Sequence, residues 1–206
     1  MRGFVNPVFA FFSKAFDLAI LNLLTLLCCV PVVTIGAALT AAHYTALKLR
    51  REEGHIWRGY WKSFKENIGQ STILWLILVA CFVLSAIVYN IGIYMDGMFA
   101  TVLRSIVLAA VILAMLLYAW VIPLQAKFIN PIRATFKNAF YLAYKYFFRT
   151  LLMVLLNLLP VGTFILVVFY LKMHGMGMWL LFSLSAPIYW CVMTYNTIFT
   201  EIEETF

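Results

Sequence analysis

The side chains able to do chemistry in this chain are few and scattered. Eight carboxylates occur in 206 residues, and the clustered ones are Glu52 with Glu53 and the trio Glu201, Glu203 and Glu204. General acid–base catalysis needs an acid and a base held in a site that shifts their pKa values. Here the long apolar stretches lack Asp, Glu, Lys and Arg altogether. Proton-coupled transport commonly relies on an acid within a span, so the same absence counts against it. His43, His55 and His174 are too dispersed to suggest a metal set. Cys28, Cys29, Cys81 and Cys191 lack the spaced pairs of a zinc or redox motif and read as small apolar residues. No HExxH, P-loop, GxSxG or GxGxxG pattern occurs. The expectation is a protein with no catalytic residue, metal ligand or cofactor, and not an enzyme.

What remains is the chemistry of cations beside aromatic rings. At 100° per residue Trp57, Trp61, Phe64 and Ile68 fall at about 0, 40, 340 and 20°, one narrow face, with Arg58, Lys62 and Lys65 at about 100, 140 and 80°. That pattern predicts an interfacial helix whose rings sink to the headgroup boundary or dock on a protein partner. A second stripe recurs every four residues: Arg133, Lys137, Tyr141, Lys145 and Arg149, beside Ile132, Phe136, Phe140, Tyr144 and Phe148. Each step of four advances by about 40°, so this stripe winds as a ramp into the next apolar segment. With no acid between Lys127 and Arg149, it suits anionic lipid or a phosphorylated ligand. The candidate partner or lipid contacts are therefore Trp57, Arg58, Trp61, Lys62, Phe64, Lys65, Arg133, Lys137, Lys145 and Arg149.

The elements that position these residues follow from charge placement. Hydrophobic residues make up 65% of the chain and charged ones 11%, with a mean hydropathy of +0.97. A water-soluble globular protein is excluded. Uncharged runs cover 18–47, 67–95, 105–126, 150–171 and 173–200. Each is long enough, at 1.5 Å per residue, to cross a hydrocarbon core about 30 Å thick. The expected fold is an all-α polytopic membrane bundle of five to six segments in a single domain, 1–206, with two basic, aromatic interfacial helices in the cytoplasm. The net charge of +7 flanks apolar spans, which points to anionic lipid and not to nucleic acid.

Eleven of the 15 Lys and Arg residues fall in two loops, at 48–65 and 127–149, which the positive-inside rule places in the cytoplasm together with the C-terminal tail. The connections near Asn90–Arg104 and Lys172–Gly177 then face outward. Leu18–Val30 followed by Gly36-Ala37-Ala38 has some character of a cleaved signal. The aromatic residues Phe4, Phe9, Phe11, Phe12 and Phe16 before it speak instead for a retained amphipathic entry helix. Pro31 predicts a break over Cys29–Thr34, with Thr34 as an N-cap, between helices at about 7–28 and 35–51. A hairpin there makes six segments with the N-terminus inside, and a kink makes five with it outside. Further helices are expected at about 71–92, 102–126, 149–171 and 177–200, kinked at Pro160 and Pro187. Leu21-Asn22-Leu23-Leu24 is echoed by Leu156-Asn157-Leu158-Leu159, an agreement short enough for chance in leucine-rich sequence. His43, Asn22, Asn90, Asn157 and Asn196 are read as interhelical packing and hydrogen-bonding groups.

The first third of the chain carries a familiar set of letters. Asn6-Pro7 with Phe9, Lys14 and Asp17, Leu21-Asn22-Leu23-Leu24, Cys28-Cys29, Pro31-Val32-Val33-Thr34-Ile35-Gly36-Ala37-Ala38, Leu47-Lys48-Leu49-Arg50 and Trp61-Lys62-Ser63-Phe64-Lys65-Glu66-Asn67 resemble the YesL-like family of small bacterial membrane proteins. The later spans match only as generic apolar helices. The family has no agreed activity, so the resemblance implies no catalytic residue. Its members often stand beside genes for carbohydrate utilisation and sugar ABC importers, mainly in Gram-positive bacteria. The resemblance thus implies a plasma-membrane accessory protein that associates with sugar ABC importer permease subunits. The alternative is a stand-alone small transporter or an anionic lipid- or ligand-binding membrane protein.

Overall fold

The computed structural model describes residues 7–51, 55–169 and 176–205. Glu52, Glu53, His174 and most of the Lys172–Gly177 connection lie outside these residues. Among the described residues eight α-helices follow in order: α1 Pro7–Cys29, α2 Ile35–Arg50, α3 Ile56–Ile93, α4 Met98–Lys127, α5 Ile132–Lys145, α6 Phe147–Phe169, α7 Met176–Phe182 and α8 Ser185–Thr205. No strand occurs among the described residues. Among the described residues five helical stretches, 11–29, 32–50, 56–93, 98–127 and 147–168, are long and apolar enough to cross a membrane. The fold is thus the all-α polytopic bundle that the uncharged runs predict.

The break at Pro31 is present. Pro31 holds an extended backbone (φ −77°, ψ 117°) and opens a 3-10 turn, Val32–Thr34, between α1 and α2. Thr34 occupies the N-cap position of α2, but its side chain makes no cap bond. Its hydroxyl turns back to the Cys28 carbonyl (2.7 Å), an acceptor left free at the end of α1, and to the Pro31 carbonyl of the 3-10 turn (2.9 Å). From α3, Trp75 Nε1 donates to the Val32 carbonyl (3.0 Å), so this carbonyl of the irregular segment is bonded too.

The α2 helix forms the centre, packing against α1, α3, α4 and α8. Its residues are small: Gly36, Ala37, Ala38, Ala41, Ala42 and Ala46 are all buried. Small side chains let backbones approach closely where no hydrophobic force between helices is available. At Gly36 the approach is closest, since a Cβ there would run into the Ser71 carbonyl oxygen and Trp75 Cβ of α3. Larger residues complete the core around it, with Leu21, Leu74, Trp120, Met153, Tyr195 and Phe199 fully buried. Outward, α3, α4 and α6 present apolar side chains such as Leu84, Ile106, Leu108, Leu155 and Val161. An apolar exterior around a small-residue interior is the arrangement expected in lipid.

Three expectations need correction. The segment Trp57–Ile68 is not a separate interfacial helix but the first turns of α3, which runs unbroken for 38 residues. No proline interrupts it, and Gly69 alone does not end a helix. The second basic segment does not ramp continuously into the next span, because Tyr146 leaves helical geometry (φ −116°, ψ 47°) and separates α5 from α6. The last segment is also broken, into α7 and α8. Pro187 cannot donate to residue 183 and its ring would crowd that carbonyl, so the helix restarts at Ser185 with the proline in its first turn. Pro160, by contrast, lies inside α6 without ending it.

Candidate functional site

The ten sequence-predicted contacts all map to one end of the bundle, where α2, α4 and α8 end and α3, α5 and α6 begin. Cross-links there include Gln125 Nε2 donating to Asn67 Oδ1 (3.1 Å) and Gln70 Nε2 donating to the Asn130 carbonyl. On α3 the inward face is Tyr60 and Ser63, both essentially inaccessible, followed by Ser71, Leu74 and Leu78. The aromatic stripe is therefore displaced to the flank. Trp57 is 59% exposed and meets Trp61 edge-on (5.9 Å between ring centroids), and Trp61 meets Phe64 likewise (5.7 Å). Phe64 is half-buried against the core, while Arg58, Lys62 and Lys65 point outward. Glu66 lies 4.0 Å from Lys62, an exposed pair of little energetic consequence.

On α5 the inward face is Thr135, Ala139, Leu142 and Ala143, residues spaced as one side of a helix. Arg133 and Lys137 are exposed, as are Phe140, Tyr141 and Tyr144. Lys145 and Arg149 are drawn together around Tyr146. The Lys145 ammonium lies over the Tyr146 ring (5.2 Å) and the Tyr141 ring (5.8 Å), and Arg149 lies over Tyr146 (5.9 Å) while donating to Thr197 Oγ1 (2.9 Å). Hydrogen bonding to Tyr146 raises the Lys145 pKa further above its ordinary value, so this group stays cationic. The α3 and α5 stripes both flank α4 but occupy separate surfaces. They do not converge on one pocket.

Periodicity alone missed a third basic group. Lys48 and Arg51 at the end of α2 and Lys127 at the end of α4 line a cleft of about 230 Å³ with Tyr44, Leu47 and Glu203. Lys127 is nearly buried, at 9% side-chain exposure, and donates to Glu203 Oε2 (2.9 Å). Lys48 lies over the Tyr44 ring (4.9 Å). A faint signal did exist: Lys127 ends the run 105–126 and Glu203 lies just past the end of the run 173–200, on the same expected side of the membrane.

Several polar residues of the helices make hydrogen bonds within the fold. His43 Nδ1 lies 3.1 Å from the Tyr195 hydroxyl, both buried. Asn157 Nδ2 donates to the Met153 carbonyl of its own helix (2.8 Å), and Asn90 does the same to Ala86 (2.8 Å). Asn22, in contrast, bonds across to the α7–α8 break, so the four-letter echo between the two segments does not extend to their roles. Among the described residues no three His, Cys, Asp or Glu side chains come together as a metal site.

No curated protein and no solved structure matches the chain. A family described as "Protein of unknown function, DUF624" matches residues 18–90, the interval from the middle of α1 almost to the end of α3.

Proposed function

We propose that this is a non-catalytic plasma-membrane protein whose α3 stripe, Trp57, Arg58, Trp61, Lys62, Phe64 and Lys65, docks a membrane-protein partner on the cytoplasmic side. The observation that carries this is the continuity of α3. A lipid-surface helix lies in the plane of the membrane. A segment continuous with a span instead extends along the axis of that span, and 38 residues reach about 57 Å, well beyond a hydrocarbon core of about 30 Å. With the apolar part of α3 in the bilayer, its first turns stand out from the surface. An exposed tryptophan, Trp57, beside the half-buried Trp61 and flanked by arginine and lysine, is what protein interfaces favour.

The resemblance to the YesL-like family supplies the partner to test first, a permease subunit of a sugar ABC importer. The experiment is crosslinking in the native membrane, mild-detergent purification and mass spectrometry of what accompanies the protein in stoichiometric amount. A permease subunit retained by the native chain and lost from Arg58→Glu/Lys62→Glu/Lys65→Glu supports the proposal. Full retention by the triple variant overturns the assignment of the dock to α3. A C-terminal reporter active only outside the cell overturns the orientation.

A further inference from the structure

The cleft at Lys48, Arg51 and Lys127 has a neighbour. Beside it lies a groove of about 570 Å³ between α4, α5 and α8, walled by Leu124, Phe128, Leu142 and Ile202 with Asn138 and Tyr141 at its rim. Glu203 lines both cavities, and it is the carboxylate seated on Lys127. The two cavities thus abut along one side chain, half-exposed and close to the end of α8. One cavity offers three cations and the other a wall of hydrocarbon.

We propose that cleft and groove are the two halves of one site for an anionic phospholipid. Its phosphate sits on Lys48, Arg51 and Lys127 in the place Glu203 takes, and one acyl chain lies in the groove. Three features select this occupant. The lining cations outnumber the lining carboxylate, and an anionic oxygen already occupies the nearly buried Lys127 at 2.9 Å. The site lies where two apolar helices long enough to cross a membrane, α2 and α4, end, the depth at which lipid phosphates meet side chains. The apolar wall adjoins the cationic one, which free phosphate has no use for and a lipid does. Glu203 then acts as an internal competitor that holds the cations paired between lipids. The site is distinct from the α3 stripe and does not depend on it.

The test uses the full chain, delipidated in neutral detergent, titrated with phosphatidylglycerol, phosphatidylcholine or inorganic phosphate and read by native mass spectrometry. Phosphatidylglycerol is expected to bind more tightly than phosphatidylcholine by about fivefold for each cation engaged. Lys127→Gln should weaken phosphatidylglycerol by about fivefold and leave phosphatidylcholine unchanged. Glu203→Gln should strengthen phosphatidylglycerol by a similar factor, a gain that misfolding cannot produce. Equal affinity for the two lipids, or no gain from Glu203→Gln, overturns the proposal. Inorganic phosphate matching phosphatidylglycerol in affinity overturns the lipid and leaves a soluble-anion site. Arg58→Glu/Lys62→Glu/Lys65→Glu should leave this binding unchanged, so its failure and that of the partner dock are told apart.

Discussion

The Asn22 side chain on α1 accepts the backbone N–H of Ser185 at 2.8 Å, across a sequence separation of 163 residues. The same oxygen accepts the Leu184 N–H (2.7 Å), and the Asn22 amide donates to the Leu180 carbonyl (2.7 Å). One fully buried side chain thus closes both sides of the α7–α8 break. Backbone groups opened inside an apolar bundle must find such partners, because lipid supplies none. Its hydrogen-bonding capacity is used within the fold, which argues against a substrate path through Asn22.

Asn22→Leu should therefore unfold the α7–α8 junction first. Leaving buried backbone donors without partners costs about 1–3 kcal/mol per group, partly recovered by local rearrangement. A thermal melt in detergent should fall markedly, with faster hydrogen exchange at residues 183–186. Asn157→Leu removes only bonds to its own helix and a cysteine 3.9 Å away, so its effect should be smaller. Equal losses would show that Asn22 is not a special support.

Gly36 and Gly69 make a matched pair. Gly36→Ala drives a methyl into the Ser71 carbonyl and Trp75 Cβ, and overpacking of this kind costs about 1–3 kcal/mol. Gly69→Ala meets nothing within 4 Å and should be neutral or stabilising by about 0.5–1 kcal/mol through helix propensity. Chemical unfolding of both variants in one detergent checks the sign of each.

Gly69 also tests what holds the aromatic stripe in place. Gly69→Pro removes the bond to the Lys65 carbonyl and kinks α3 between stripe and span, at about 3 kcal/mol. Partner capture should fall for Gly69→Pro and persist for Gly69→Ala. Capture unaffected by the kink would mean that the rigid connection is irrelevant.

Tyr195→Phe leaves His43 Nδ1 buried without its partner at 3.1 Å. The expected loss is about 1–3 kcal/mol for the orphaned group. Replacing both, with His43→Leu and Tyr195→Phe, should cost less than the sum of the single changes, which a double-mutant cycle reads directly.

Much of the architecture was legible before any coordinates. Pro31 announces the break at 30–34 because proline acts on its own neighbours, and the uncharged runs 67–95, 105–126 and 150–171 mark apolar helices because bilayer thickness sets a length that any chain must meet. Pro187 was legible as a disturbance but not as a full break, since the restart at Ser185 depends on a hydrogen-bonding partner in α1. The candidate contacts lie on helices, eight of them exposed and Trp61 and Phe64 half-buried, whereas the rotation of α3 was not legible. Tyr60 and Ser63 turn inward there, although helical periodicity favours the Trp57–Trp61–Phe64 face for burial. The neighbours that bury a face, α2 and α4, are invisible in its own period.

The sequence by itself determined that this protein is helical, apolar outside and cationic at the ends of its helices, because these follow from local constraints on proline, charge and length. Only the tertiary structure decided which polar groups meet: Asn22 with the α7–α8 break, His43 with Tyr195, and Lys127 with Glu203. Each pairing joins residues 76 to 163 positions apart. Such contacts are set by how helices pack around the small face of α2, and no periodicity within a single helix encodes its neighbours.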